Sequence, residues 1–99
     1  MSRYLLRERA EADLAEIWRF SAQRWNVAQA DKYYGEIVGA LRKLAAEPTP
    51  GRPCDEIRAG YRRHSVGSYV IFYLSGDEIV DVVRILHARR DFHRHLPSA

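Results

Sequence analysis

The sequence predicts an α+β fold in which an N-terminal strand and an antiparallel helical hairpin pack on a mainly antiparallel sheet, in the order β-α-α-β-β-β. Three observations support it: helical spacing of apolar residues in the first half, a Pro/Gly-rich break at 47–53, and segments rich in Val, Ile and Tyr in the second half. The 99 residues are expected to form one domain, 1–99. Hydrophobic residues make up 46% and charged residues 29%, which is typical of an ordered globule.

The first half contains a short apolar run and two amphipathic segments. The run 4–6 predicts a strand. From about Glu8, apolar residues recur at helical intervals as far as Trp25, which predicts the first helix. Asn26 is a suitable N-cap for a second helix that ends before Pro48. Because almost no loop separates the two helices, we expect them to form an antiparallel hairpin.

The second half predicts three strands, over 57–66, 69–75 and 78–87, joined by turns at 67–68 and 76–77. The last strand is apolar at both odd and even positions, which indicates an interior strand that is covered on both faces. The helical hairpin would cover one face. The N-terminal strand with the C-terminal segment, or a partner, would cover the other. The residues from 88 to 99 are expected to form a charged tail.

The positive charge is unevenly distributed. The net charge is +3, and 14 of the 16 basic residues are arginine, whose planar fork suits carboxylates and phosphates. In a meander, Arg62 or Arg63 would lie near Arg84 and His87. Such a cluster indicates an acidic partner or phosphate groups, unless each arginine pairs with a carboxylate of its own chain, such as Asp81.

No specific enzyme motif is present, and we expect no catalytic residue, cofactor or metal. His93 and His95, with His87 upstream at the end of the last predicted strand, form a poor zinc site. Two of the three fall in the predicted tail, and the single cysteine, Cys54, lies elsewhere, in a loop expected to face solvent. A metal-free ribonuclease stays open, with His64 and His87 as proton carriers. No apolar run is long enough to span a membrane and no signal peptide is evident, so a cytoplasmic protein with no membrane contact is expected.

Six groups of residues, in fixed order, carry a resemblance that extends over nearly the whole chain, from residue 4 to about 91. They are ADLAEIW at 12–18, Ala30 with YY at 33–34, Leu44 with Pro48 and Gly51, GYRR at 60–63, SYVIFY at 68–73 and VRILHARRD at 83–91. Together they resemble the ParE branch of the RelE/ParE toxin superfamily, and the last block is the most specific of them.

This resemblance implies the toxin half of a type II toxin–antitoxin pair. Such a toxin inhibits DNA gyrase by binding, and a ParD-like antitoxin neutralises it in a hetero-oligomer. An apolar groove beside the helical hairpin is expected to receive an antitoxin helix, whose carboxylates would pair with arginines of the sheet. We expect no sequence-specific nucleic-acid binding by the chain alone. The expected antitoxin- or target-binding residues are Arg62, Arg63, Arg84, His87, Arg89 and Arg90.

RelE-like members of the same superfamily offer an alternative, ribosome-dependent cleavage of mRNA. They use basic residues and a C-terminal tyrosine. Here the last tyrosine is Tyr73, inside a predicted strand, and no lysine follows Lys43. Arg62, Arg84 and His87 would have to substitute for the missing groups.

A second alternative is a small basic nucleic-acid-binding module without toxicity. Such a module needs exposed aromatic rings between its arginines, on which bases can stack. Tyr61, Tyr69 and Tyr73 are the candidates, although their strand positions suit core packing equally well.

Overall fold

The predicted order of elements is confirmed by the computed structural model, which describes residues 3–47, 51–76 and 78–97 and, for His93, the backbone alone. Two short elements, a strand over Arg52–Pro53 and a helix over Phe92–His95, were not predicted from the sequence. Within the described residues the elements are β1 (Arg3–Leu6), α1 (Glu8–Arg24), α2 (Val27–Ala46), β2 (Arg52–Pro53), β3 (Arg62–Val66), β4 (Tyr69–Ser75), β5 (Ile79–His87) and α3 (Phe92–His95).

The described strands form one mixed sheet in the order β1-β5-β4-β3-β2. The meander β3-β4-β5 is antiparallel, as predicted, and β1 pairs in parallel with the outer side of β5. The prediction of an interior strand is confirmed, because β5 lies between β1 and β4. Val82 of β5 packs toward the helices, whereas Val83 and Leu86 pack on the opposite face.

The helical hairpin covers one face of the sheet. Asn26 caps α2 as predicted, because its side-chain oxygen accepts a hydrogen bond from the backbone N–H of Gln29 at 2.8 Å. The Trp18 indole N–H donates to Asp31 at 2.9 Å and so links the two helices. The core beneath the hairpin is formed mainly by Leu14, Ile17, Ile37, Leu41, Leu44, Ile71, Tyr73, Val82 and Ile85. None of the described helices is both long and apolar enough to cross a membrane.

A loop covers much of the second face, where a longer strand was predicted. The strand expected over 57–66 begins only at Arg62, because residues 55–60 turn back on themselves. The Asp55 carboxylate accepts a hydrogen bond from the Gly60 N–H at 2.8 Å, and Gly60 has φ 86°, a left-handed conformation that favours glycine. The expectation that Cys54 faces solvent was wrong: its side chain is fully buried beneath the loop, and burial raises the pKa of the thiol.

The segment predicted as a charged tail also packs on this second face. Leu96, which follows α3, is buried with Phe72 and Val83. The Tyr61 hydroxyl donates to the carbonyl of Pro97 at 2.8 Å. Over 92–97, therefore, the chain covers its own sheet, whereas β1 lies in the plane of the sheet rather than over it. Apolar Phe92 and Leu96 anchor this segment, and the charges around them conceal that role in the sequence.

Candidate binding surfaces

Arg84 is held inside the fold by Asp13 of α1. The Arg84 Nε and Nη2 atoms donate to the two Asp13 carboxylate oxygens at 2.7 and 2.8 Å, and the Ile85 N–H donates to the same carboxylate at 3.0 Å. Because β1 ends opposite Val82, none of the described strands lies beside Ile85 on this side of β5. The Asp13 carboxylate takes that place and accepts a hydrogen bond from the Ile85 N–H. Hydrogen bonding to Asp13 raises the pKa of Arg84. The expected contact residue is thus buried in an ion pair.

Arg62 and Arg63 point to opposite faces of the sheet, because neighbouring strand residues alternate. Arg62 donates through Nη2 to the carbonyl of Gly51, and its Nε is buried without a hydrogen-bond partner among the described residues. The Arg63 guanidinium lies over the rings of Phe72 and Phe92, 5.8 and 5.2 Å from their centroids. The fold therefore separates these two arginines from each other.

His87, Arg89 and Arg90 lie together where β5 ends. The half-buried His87 ring meets Tyr69 edge-on, with centroids 5.5 Å apart, and its Nδ1 accepts a hydrogen bond from the Arg89 N–H at 3.1 Å. The Arg90 N–H donates to the His87 carbonyl at 2.9 Å, and both arginine side chains are exposed. These are the three expected contact residues that the structure brings into one patch.

This patch borders a groove beside the hairpin. Two cavities of about 300 and 350 Å³ share Phe20, Tyr69 and His87 and so form one depression, which we call the hairpin groove. Phe20 and Trp25 are 51% and 53% exposed although both are large aromatic residues. The residues that define the groove are Asp13, Glu16, Ile17, Phe20, Trp25, Tyr33, Glu36, Tyr69, Ile85, His87 and Arg90.

A separate cavity, of about 420 Å³, lies on the opposite face of the sheet, and we call it the α3 pocket. Sequence reasoning missed it because its arginines come from four separate segments, and the only signal in the sequence was the excess of arginine. The Asp13–Arg84 ion pair separates the two surfaces, since Asp13 lines the groove and Arg84 lines the pocket. The residues that line the α3 pocket are Arg7, Arg9, Arg58, Val83, Arg84, Arg94, His95, Leu96 and Pro97.

The histidines considered as metal ligands are dispersed. His87 lines the hairpin groove and His95 lines the α3 pocket, while the side chain of His93 lies outside the described part of the structure. Among the side chains that the structure describes, no group of three or more His, Cys, Asp or Glu residues is placed to hold a metal ion.

The strand, helical hairpin and sheet together form a RelE/ParE-type toxin fold. The chain belongs to the ParE toxin family: the family model described as "ParE toxin of type II toxin-antitoxin system, parDE" matches residues 4–92. It is 50% identical over 96 residues to Toxin ParE1 of Mycobacterium tuberculosis H37Rv, which covers 96% of this chain and 98% of the relative.

Two further comparisons concern a second sequence relative and a solved structure of similar fold. The chain is 43% identical over 96 residues to Toxin ParE1 of Caulobacter vibrioides, with 97% of this chain and 99% of the relative covered. Its fold is similar to that of a chain in the chromosomal ParDE toxin–antitoxin system of P. aeruginosa, with a TM-score of 0.78 at 20% identity and coverage of 88% of this chain and 96% of that chain.

Proposed function

We propose that this ParE-family toxin arrests growth in the cytoplasm by binding DNA gyrase, and that a ParD-like antitoxin neutralises it by binding in the hairpin groove. The observation that carries the proposal is the exposed apolar groove of a ParE-family chain, with cationic residues along one rim. The P. aeruginosa structure is described as a ParDE toxin–antitoxin system, which supports an antitoxin partner for this chain as well.

The groove has the chemistry of a site for an amphipathic helix. Exposed large aromatic side chains that share one depression are typical of interface anchors, and Phe20 and Trp25 meet that description. Arg89 and Arg90 are exposed at the end of β5, and neither has an ion-pair partner among the described carboxylates. They are therefore available to pair with carboxylates of an acidic amphipathic segment.

The six expected contact residues fall into two groups in this proposal. His87, Arg89 and Arg90 contact the partner directly. The other three act through the fold. Arg62 binds the Gly51 carbonyl, Arg63 stacks on the rings of two phenylalanines, and Arg84 holds α1 against β5.

The positions of the histidines support inhibition by binding over RNA cleavage. His64 lies on β3 and His87 on β5, with β4 between them and a register offset of two residues, so their backbones are about 12 Å apart. Arg84, the cation nearest His87 along β5, is already bonded to Asp13. His87 lies beside Arg89 and Arg90, which pair with no described carboxylate, but the two candidate histidines, as proton donor and proton acceptor, do not converge on one phosphodiester.

The tyrosines argue against the stacking module. Tyr61 and Tyr73 are fully buried, and Tyr69 packs against the hairpin core and the His87 ring. A base has no exposed face of Tyr61 or Tyr73 on which to stack.

The proposal is tested by assaying the purified chain for two activities. We expect it to suppress supercoiling of relaxed plasmid by gyrase, to lose this effect when the cognate antitoxin is added, and to leave ribosome-bound mRNA intact. Cleaved mRNA with unaffected supercoiling would establish the RelE-like alternative instead. The variant His64→Ala/His87→Ala is the control for cleavage, because a ribonuclease that uses these histidines would lose that activity in it.

A further inference from the structure

We propose that the α3 pocket is a binding site for phosphate groups, separate from the hairpin groove and independent of the gyrase proposal. The fold brings five guanidinium groups to the walls of this one cavity, from the start of α1, the loop after β2, β5 and α3. Like charges in proximity destabilise a fold, and a cavity that collects them in this way favours an anionic ligand.

Two of the five guanidinium groups, those of Arg7 and Arg84, pair with described carboxylates. The Arg7 guanidinium makes two hydrogen bonds to Asp81, at 3.0 and 2.8 Å, and Arg84 pairs with Asp13. Arg9 and Arg94 are exposed, and neither has an ion-pair partner in the described part of the chain. Arg9 belongs to α1 and Arg94 to α3, so a ligand in the cavity meets cations of two different elements.

Part of the pocket wall is already ordered before a ligand binds. Arg58 donates to the carbonyl of Leu96 at 3.0 Å, and Arg84 is fixed by Asp13, so neither guanidinium needs to be ordered on binding. Val83 and Leu96 supply an apolar floor, where charge–charge attraction is less screened than in bulk water. The surrounding positive charge is also felt by His95, whose pKa is lowered by desolvation and by Arg90, Arg84 and Arg94.

A phosphate group fits this arrangement better than a carboxylate does. A carboxylate has two oxygens in one plane and suits a single arginine fork, as Asp13 does with Arg84. A phosphate group presents oxygens in several directions, so guanidiniums from α1 and from α3 can share it. Its source is either the backbone of a nucleic acid, bound without sequence preference, or a free phosphate compound.

The test compares two double variants of the full chain that carry the same charge. Arg9→Gln/Arg94→Gln removes two pocket cations, whereas Arg42→Gln/Lys43→Gln removes two exposed cations of α2 that lie outside the pocket. The probes are inorganic pyrophosphate, followed by calorimetry, and a labelled DNA duplex of about 20 base pairs, followed by anisotropy at about 50 mM salt. Thermal melting establishes that each variant is folded.

We expect saturable pyrophosphate binding, with Kd raised about tenfold or more in the pocket variant and changed less than about twofold in the control. Arg9→Lys/Arg94→Lys, which keeps the charges but loses the forks, should give an intermediate Kd. Suppose that the affinity for the duplex also falls in the pocket variant and not in the control. If, in addition, the slope of log K against log salt concentration is smaller by about two in the pocket variant, the source is a nucleic-acid backbone. If only the affinity for pyrophosphate falls in the pocket variant, the source is a free phosphate compound.

Three results would overturn the proposal. They are an absence of saturable pyrophosphate binding, an equal loss of affinity in the two Gln variants, and tighter binding of an oligoglutamate peptide than of pyrophosphate. Antitoxin affinity and inhibition of gyrase are measured on the same variants. We expect both to be unchanged. Pyrophosphate binding therefore tests the α3 pocket alone, and antitoxin affinity and gyrase inhibition test the proposed function alone.

Discussion

The two surfaces on either side of the Asp13–Arg84 ion pair differ in the way the fold treats its arginines. In the hairpin groove the floor is largely apolar, and Arg90 stands on the rim in contact with solvent. In the α3 pocket five arginines form the walls, and the buried one, Arg84, is matched by a carboxylate. Burial and pairing, rather than the number of arginines, therefore decide which of them serve stability and which are available to a partner.

The two ion pairs that link the start of the helical hairpin to β5 show the same contrast. In each, an arginine makes two hydrogen bonds to one aspartate. The side chains of Arg84 and Asp13 are 8% and 15% exposed, whereas those of Arg7 and Asp81 are 40% and 35% exposed. Water screens the second pair and not the first, so the same geometry should contribute different free energies.

The largest expected effect is that of Arg84→Ala on stability. The substitution leaves the Asp13 carboxylate buried without its cation, and we expect the free energy of unfolding to fall by about 3 kcal/mol. For a domain of this size the melting temperature should fall by more than about 10 °C. The matched control, Arg7→Ala, should cost less than about 1 kcal/mol. Equal losses of unfolding free energy in the two variants would show that burial does not make the Arg84–Asp13 pair more stabilising than the Arg7–Asp81 pair.

The next largest effect concerns the groove. Phe20→Ala removes an exposed aromatic anchor and should raise the Kd for the cognate antitoxin about 30-fold, with little change in melting temperature. Leu5→Ala is the control, because Leu5 is equally exposed but lies on β1, outside the groove. Calorimetry or surface plasmon resonance measures both. If the two variants bind the antitoxin alike, the antitoxin does not occupy the hairpin groove.

A smaller effect is expected from the rim. Arg90→Ala should weaken antitoxin binding about fivefold at low salt, and the difference from the wild type should shrink as ionic strength rises, because an exposed charge is screened. Arg42→Ala, on the exposed side of α2, should leave the affinity unchanged. A loss that does not depend on salt would assign Arg90 a packing role in place of an electrostatic one.

The smallest effect is on the pH dependence of stability. The pKa of His95 is lowered in the folded chain, chiefly by desolvation and then by Arg90, Arg84 and Arg94, with Asp91 opposing. The unfolded chain therefore takes up the proton first as pH falls, and stability decreases from about pH 7 toward pH 5. In His95→Gln the fall in melting temperature between about pH 7 and pH 5 should be smaller than in the wild type by about 2 °C. In Arg94→Gln it should be smaller by part of that amount. An unchanged slope in His95→Gln would contradict the assignment.

The fold could be predicted from the sequence wherever local pattern decides structure. The Asn26 cap, the helical periodicity on either side of it and the two-sided apolar pattern of β5 are properties of neighbouring residues, and the structure agrees with each. The turn over 55–60, after which β3 begins only at Arg62, and the burial of Cys54 depend instead on packing at the second face of the sheet. That face forms only when the segment 92–97 returns to it.

The candidate sites could be predicted only in part, for the same reason. The last sequence block placed His87, Arg89 and Arg90 together because they are close in the chain. The partner of Arg84 is Asp13, 71 residues away, and no local pattern pairs the two. The α3 pocket is lined by segments that are far apart in the sequence, so the only indication of it in the sequence was the excess of arginine.

The central claim is that the chain acts by occupying its target and not by turnover. The most direct test titrates the purified toxin against a fixed concentration of gyrase while supercoiling is measured. A binding inhibitor should need toxin in amounts comparable to the gyrase present, and every RNA and DNA strand recovered should be free of new ends attributable to the toxin. Complete inhibition at about a hundredth of the gyrase concentration, with cut phosphodiester bonds in the recovered nucleic acid, would contradict the claim.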